Sequence, residues 1–305
     1  MIFSFLAASA QDADFSQYNN SKIYMNPAFT GTDSSLVIAS NYRLQWPESD
    51  AYKSFNFSVD KYIHALRGGL GINFLHDSQM QGAFTTSRID INYAPHFELF
   101  QHKLVVEPGI QLSYFQNSVD FSKLTFGDQI DPRRGFVYSS NDVPVVSTKS
   151  NVDLSAGLVV YSDHFFGGVA VHHINQPDEG INAPSKLPAK ITVQAGANLS
   201  LKNDPDHTFI FSPTLLYMQQ QDFTMFLPGI TVKYKHVSFG LSYRSEDSFI
   251  TTFALQNHFG RIGYSYDYTT SALLNKNTGG AHEIALAWFI NYRKKPCDIK
   301  TLRLI

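Results

Sequence analysis

From Ser34 to Tyr292 the chain switches between apolar and polar side chains in stretches of about ten residues, many times over. Successive side chains of a strand point to opposite faces. In 191–201, Ile191, Val193, Ala195, Ala197, Leu199 and Leu201 therefore share one face, and Thr192, Gln194, Gly196, Asn198 and Ser200 share the other. Val152, Leu154, Ala156, Leu158 and Val160 form a second apolar row opposite Asn151, Asp153, Ser155 and Gly157. Val237, Phe239, Leu241 and Tyr243 oppose His236, Ser238, Gly240 and Arg244; Ile284, Leu286, Trp288, Ile290 and Tyr292 oppose Glu283, Ala285, Ala287 and Asn291. Helical spacing never competes for long. Such two-row segments, separated by turns, predict an all-β fold: a transmembrane antiparallel β-barrel with its apolar rows in lipid and its polar rows lining the lumen.

Composition agrees without deciding the matter. Aromatic residues make up 14% and charged residues 16% of the chain, against roughly 25% charged in ordinary globular proteins; a soluble β-sandwich could share those figures. The aromatics gather near strand ends, at Tyr42, Trp46, Tyr93, Phe97, Phe165, Phe166, Tyr243, Tyr264, Tyr266, Trp288 and Tyr292, as the interfacial girdles of a barrel do. The mean hydropathy of -0.17 fits no helical membrane protein, and no window beyond the N-terminus offers the roughly 20 apolar residues a spanning helix needs. A net charge of -2, with no basic stripe, does not point to nucleic acid.

About fourteen strands are expected, centred on Ile38, Phe57, Ile72, Ile91, Ile110, Leu158, Val169, Val193, Phe211, Ile230, Leu241, Thr252, Tyr264 and Leu286. With both termini in the periplasm, connections after odd-numbered strands face outward. The three long ones, 117–149, 175–185 and 268–280, all do. Turns such as Ser162-Asp163-His164, Asn203-Asp204-Pro205-Asp206 and Lys235-His236 serve the other side. Residues 1–10 end in Ala8-Ser9-Ala10 and read as a secretory signal lacking a basic n-region. Residues 11–33 form a short plug-like segment, 34–292 the barrel and 293–305 a periplasmic tail. The single cysteine, Cys297, permits no internal disulfide.

Three groups of residues are candidates for function. The 117–149 loop exceeds ordinary loop length, and its Asp128, Gln129, Asp131, Arg133 and Arg134 suit charge-assisted contacts with a partner; the other reading is that 127–135 folds over the barrel mouth. Asn26-Pro27-Ala28 is either a tight turn entering the first strand or part of a plug, and a lumen of this size has room for one. Asn41, Arg43, Asp60, Arg88, Asp90, Asp153 and Arg244 face the lumen with mixed signs, which suits internal ion pairs better than the single-sign constriction of a selective pore. His172 and His173, adjacent on a strand, should point to opposite faces and so cannot chelate one ion as a pair. No nucleophile-elbow, zinc-protease or phosphate-loop pattern occurs, so no catalytic residue, metal ligand or cofactor is assigned.

The sequence resembles the PorP/SprF membrane proteins of the Bacteroidetes type IX secretion system. The resemblance rests on Asp14-Phe15-Ser16-Gln17-Tyr18, then Met25-Asn26-Pro27-Ala28-Phe29-Thr30-Gly31 and Asn41-Tyr42-Arg43-Leu44-Gln45-Trp46. It continues in Phe126-Gly127-Asp128-Gln129-Ile130, Tyr266-Asp267-Tyr268 with Ser271 and Leu273, and Gly279-Gly280-Ala281-His282-Glu283-Ile284, where Ala281 replaces an expected serine. The resemblance implies a non-enzymatic outer-membrane component that helps cargo with a type B C-terminal domain, gliding adhesins included, reach and stay on the cell surface. Periplasmic ring and peptidoglycan-linked secretion components are further implied partners. The rival is a fatty-acid-transporter-like barrel, which shares the Asn-Pro-Ala turn but has a plug about twice as long as the segment before Gly31.

Overall fold

The computed structural model describes residues 12–124, 126–131, 133–138, 147–181, 183–200, 208–270, 279–290 and 302. The stretch 1–10 read as a secretory signal, Asn203 to Asp206, Ser271, Leu273, Asn291, Tyr292 and Cys297 lie outside the described residues. Fourteen strands form the wall: β1 (Leu36–Gln45), β2 (Tyr52–Ile63), β3 (Gly68–Gln79), β4 (Phe84–Pro95), β5 (Leu104–Val119), β6 (Thr148–Tyr161) and β7 (Phe165–His172). They continue with β8 (Lys190–Ala197), β9 (Phe209–Gln220), β10 (Phe223–Tyr234), β11 (Val237–Arg244), β12 (Ser248–Gln256), β13 (Gly260–Thr269) and β14 (Ala281–Ile290). Short pieces, Phe97–Leu99 and Leu199–Ser200, prolong β4 and β8. Each strand pairs antiparallel with its sequence neighbours. β1 closes the cylinder on β14 from Leu36↔Ile290 to Gln45↔Ala281, so no edge is left unpaired. Every strand centre expected from the alternation falls inside one of these strands.

The burial pattern is inside-out relative to a soluble sheet. Ile91 is 53% exposed, Ile110 62% and Trp288 50%, while Asn41, Asp90, Asp153 and Glu283 are fully enclosed. Apolar rows that face outward meet lipid, and polar rows that face inward satisfy one another. The interior is not uniformly polar, however. Leu75, Leu216, Met218, Met225, Leu227 and Ile250 point inward and pack with Phe15, Tyr18, Tyr24 and Met25. Val105, Val159, Tyr161 and Phe166 pack with Ile23, Ala28 and Phe29. Two apolar seams of the wall thus match apolar side chains of the N-terminal segment, which displaces water from the lumen.

Phe166 departs from the girdle expected for it, because it turns inward and meets Phe29 edge-on at 6.3 Å. Likewise His172 and His173 do not point to opposite faces. β7 ends at His172, and His173 takes a left-handed backbone (φ 57°), which swings both rings into the lumen. The connections after odd-numbered strands share one end of the barrel, and the long ones are among them; this is the outer mouth.

Candidate functional site

The N-terminal segment is threaded down the lumen from the outer mouth to the inner end. Asp12 meets His173 and Lys190 where β7 ends and β8 begins, and Gly31 donates its N–H to Asp60 at 2.8 Å near the inner end of β2. Between them lie one turn of α-helix, α1 (Lys22–Met25), and a 3-10 turn over Pro27–Phe29. Asn26 fixes that junction: its Oδ1 accepts the Ala28 N–H at 2.9 Å and its Nδ2 donates to the Val169 carbonyl at 3.3 Å. Such a side-chain cap, ahead of a proline at the first helical position, suits Asn-Pro. The turn beds on Gly109 and Gly157, which face each other across β5 and β6. A Cβ at Gly157 would lie 2.0 Å from Asn26 Oδ1. Only glycine lets the plug approach the wall so closely.

A polar clamp holds the upper part of this plug. Asp267 Oδ2 accepts from Arg43 Nη2 at 2.8 Å, Arg244 Nη1 at 2.9 Å and Ser16 Oγ at 2.7 Å. Glu283 accepts from the Ser16 N–H at 2.7 Å, the Gln17 N–H at 3.1 Å and Asn41 Nδ2 at 2.7 Å. Arg244 also pairs with Asp14 at 2.7 Å. These are charge-assisted bonds between buried groups, so each is stronger than its surface equivalent and costly to break singly.

A second network lies across the lumen. Arg88 bridges Asp90 at 2.8 Å and Asp153 at 2.7 Å. Asp153 faces His173 Nδ1 at 2.8 Å, and His173 Nε2 faces Asp12 at 2.9 Å. Lys22 lies 3.5 Å from Asp60. Arg43, Arg88, Asp60, Asp90, Asp153 and Arg244 are all engaged in these contacts and Asn41 joins the clamp, so charges of both signs alternate among these residues. Among the described residues no group of three metal-binding side chains converges.

The loop residues lie elsewhere. Ile130–Asp131 pairs with Gly135–Phe136 in a small two-stranded sheet separate from the barrel sheet. Asp131 Oδ1 accepts the N–H groups of Arg133 and Arg134, each at 2.8 Å, and these bonds hold its carboxyl below the usual carboxylate range. Gln129 Oε1 accepts the Phe126 N–H at 2.8 Å. Asp128, Arg133 and Arg134 are exposed, as are Ile130 and Tyr138. A Cβ on Gly127 or Gly135 would meet nothing within 4 Å, so both glycines border open space. At the mouth itself, above the plug, opens a cavity of about 790 Å³.

Sequence reasoning passed over Ser16, Glu283, Asp267, Asp12, Asp14 and Lys190 as site residues. A signal was available: Asp267 and Glu283 stand on the polar rows of their strands, and the residues near them in sequence carry the resemblance described above. Most of those separate motifs, Asp14 to Tyr18, Asn41 to Arg43, Asp267 and Glu283, meet in the one clamp.

A closed, plugged β-barrel with a lipid-facing apolar exterior defines an outer-membrane protein of the barrel class. The chain belongs to the family described as type IX secretion system membrane protein PorP/SprF, which it matches over residues 7–288. No curated protein matches it. Among solved structures it is similar to the Ralstonia pickettii toluene transporter TbuX, with 12% identity, a TM-score of 0.49, and coverage of 89% of this chain and 94% of that one. It is also similar to the Acinetobacter baumannii outer membrane protein Omp33, with 6% identity, a TM-score of 0.47, and coverage of 86% and 100%.

Proposed function

We propose that this secretion-system barrel is a closed, non-enzymatic platform that keeps cargo with a type B C-terminal domain, such as a gliding adhesin, at the cell surface, and is not the conduit through which cargo passes. The observation that carries this reading is the seated plug. Phe15, Ile23, Ala28 and Phe29 are at most 1% exposed inside the cylinder, so a polypeptide has no path past them without dismantling two apolar seams and the clamp. What remains for a partner is the outer face, with its hairpin at 127–138 and the cavity at the mouth. The turns at the inner end offer a separate surface to periplasmic ring or peptidoglycan-linked components.

Deleting the gene should leave type B cargo unattached or missing from the surface; unchanged cargo display would overturn the proposal. The apolar cavity favours one other reading, uptake of hydrophobic small molecules. Reconstituted vesicles separate the two, since a transporter admits a hydrophobic tracer and a closed platform does not.

A further inference from the structure

We propose that the outer cavity is a binding pocket for an extended segment of the secreted partner, one that places apolar side chains around a single lysine or arginine. This inference rests on the surface-platform reading and names the part of that surface which makes the contact. The cavity, at about 790 Å³, lies within the roughly 300–1,000 Å³ of ordinary ligand pockets. Its walls are Trp46, Met80, Phe84, Leu124, Phe223 and Met225. Its floor is the start of the plug, Asp12 to Asp14, so it is a blind pocket open to the cell exterior.

The charges lining it are unbalanced. Four carboxylates, Asp12, Asp14, Asp77 and Asp247, face one guanidinium, Arg244. Arg244 is divided among Asp14, Asp247 and Asp267, and Asp12 is taken by Lys190 and His173. Among the described residues Asp77, only 4% exposed, accepts from two neutral donors, Ser54 Oγ at 2.5 Å and Gln79 Nε2 at 2.8 Å. Asp14 Oδ1 is enclosed and has no hydrogen-bond donor among the described residues. A side cavity that shares Asp12, Ala13, Asp77, Gln79 and Phe84 with the main one adds Glu179, whose carboxylate accepts from Asn117 Nδ2 at 3.3 Å, and Arg88, whose guanidinium is held by Asp90 and Asp153.

Buried carboxylates without a cation are unfavourable. An entering ammonium or guanidinium would relieve them through charge-assisted bonds, strengthened by the apolar walls. A bare metal ion fits poorly, because no three ligating side chains converge among the described residues. Apolar side chains flanking one positive charge satisfy walls and floor together.

Trp46 is a built-in reporter, since the chain has two tryptophans and the other, Trp288, is on the lipid face, 50% exposed. The test uses full-length Trp288→Phe protein in nanodiscs and an acetylated, amidated hexapeptide of leucine and phenylalanine around one lysine, ending in nitrotyrosine as quencher. Saturable quenching of Trp46 is expected, at least about tenfold weaker when glutamate replaces the lysine. Asp77→Asn should weaken the lysine peptide about tenfold and leave a norleucine peptide unchanged. Heat-modifiable gel mobility checks that the variant barrel is assembled. Quenching that does not saturate, that is equal for lysine and glutamate, or that ignores Asp77→Asn overturns the proposal. In cells, Asp77→Asn and Phe84→Arg should strip type B cargo from the surface as gene deletion does. Cargo lost on deletion but retained in both variants sinks the pocket alone, whereas cargo retained on deletion sinks the platform reading beneath it.

Discussion

Gly109→Ala should loosen the plug while leaving the barrel closed. The added Cβ would sit 2.3 Å from Ala28 N, 2.5 Å from Ala28 Cα and 2.6 Å from the Pro27 carbonyl carbon, against 3.4–4 Å for ordinary contact. All three are backbone atoms, so no side chain can swing aside, and the turn must retreat by about 1 Å into an interior packed like a crystal. It has little room to do so, because Asn26 and Ala28 are both fully buried. Overpacking of this kind costs about 1–3 kcal/mol, and Gly109→Val should cost more. If that cost falls on the seated plug and not on the wall, the displaced population rises about 5- to 150-fold.

The assay is the rate at which a membrane-impermeant maleimide labels Thr30→Cys in a Cys297→Ser background, because Thr30 is fully buried in the seated state and labelling must await opening. Gly167→Ala is the control: its Cβ would meet nothing nearer than 3.9 Å, and its labelling rate should equal the parent's. Parental rates for both Gly109 variants, in assembled barrels, would refute the argument that this wall glycine exists to seat the plug.

Other outcomes follow from the same contacts. Asp267→Asn leaves Arg43 and Arg244 without their shared carboxylate; breaking such a buried pair costs about 3–5 kcal/mol and should lower the temperature at which heat-modifiable mobility is lost. Asn26→Ala loses a cap worth about 0.5–2 kcal/mol, whereas Asn26→Asp keeps the acceptor for the Ala28 N–H but loses the donor to the Val169 carbonyl and buries an unpaired charge, so Asn26→Asp should loosen the plug at least as much; the maleimide assay ranks them. In the loop after β7, bonds from Lys149, Ser185 and Gly180 hold the Asp178 carboxyl at about 2, below its ordinary 3.8. A depressed value stabilises the charged, folded loop above the ordinary pKa and is lost as pH falls through about 2. Pepsin cleavage of this loop should therefore rise between pH 4 and pH 2, and Lys149→Met should remove most of that dependence.

How much could be read from residues alone differs between wall and lumen. The wall was legible because a strand obeys a period of two, and lipid outside with polar neighbours inside imposes opposite demands on the two rows. Where the rule failed, another contact had priority. Leu216, Met218, Met225 and Leu227 break the polar row because they face Phe15, Tyr18, Tyr24 and Met25 of the plug and no water. Phe166 left the aromatic girdle for Phe29, and the left-handed turn at His173 undid an alternation that assumed the strand ran on.

The amino-acid order by itself determined the strands, their number, their inward and outward faces and the end at which the long loops emerge, since each follows from local alternation and chain direction. Only the closed tertiary structure decided what fills the cylinder. Ser16 meets Asp267 and Glu283 across more than two hundred residues, a contact that no local period encodes, because it arises when β14 returns to pair with β1 and brings the last two strands beside the start of the plug.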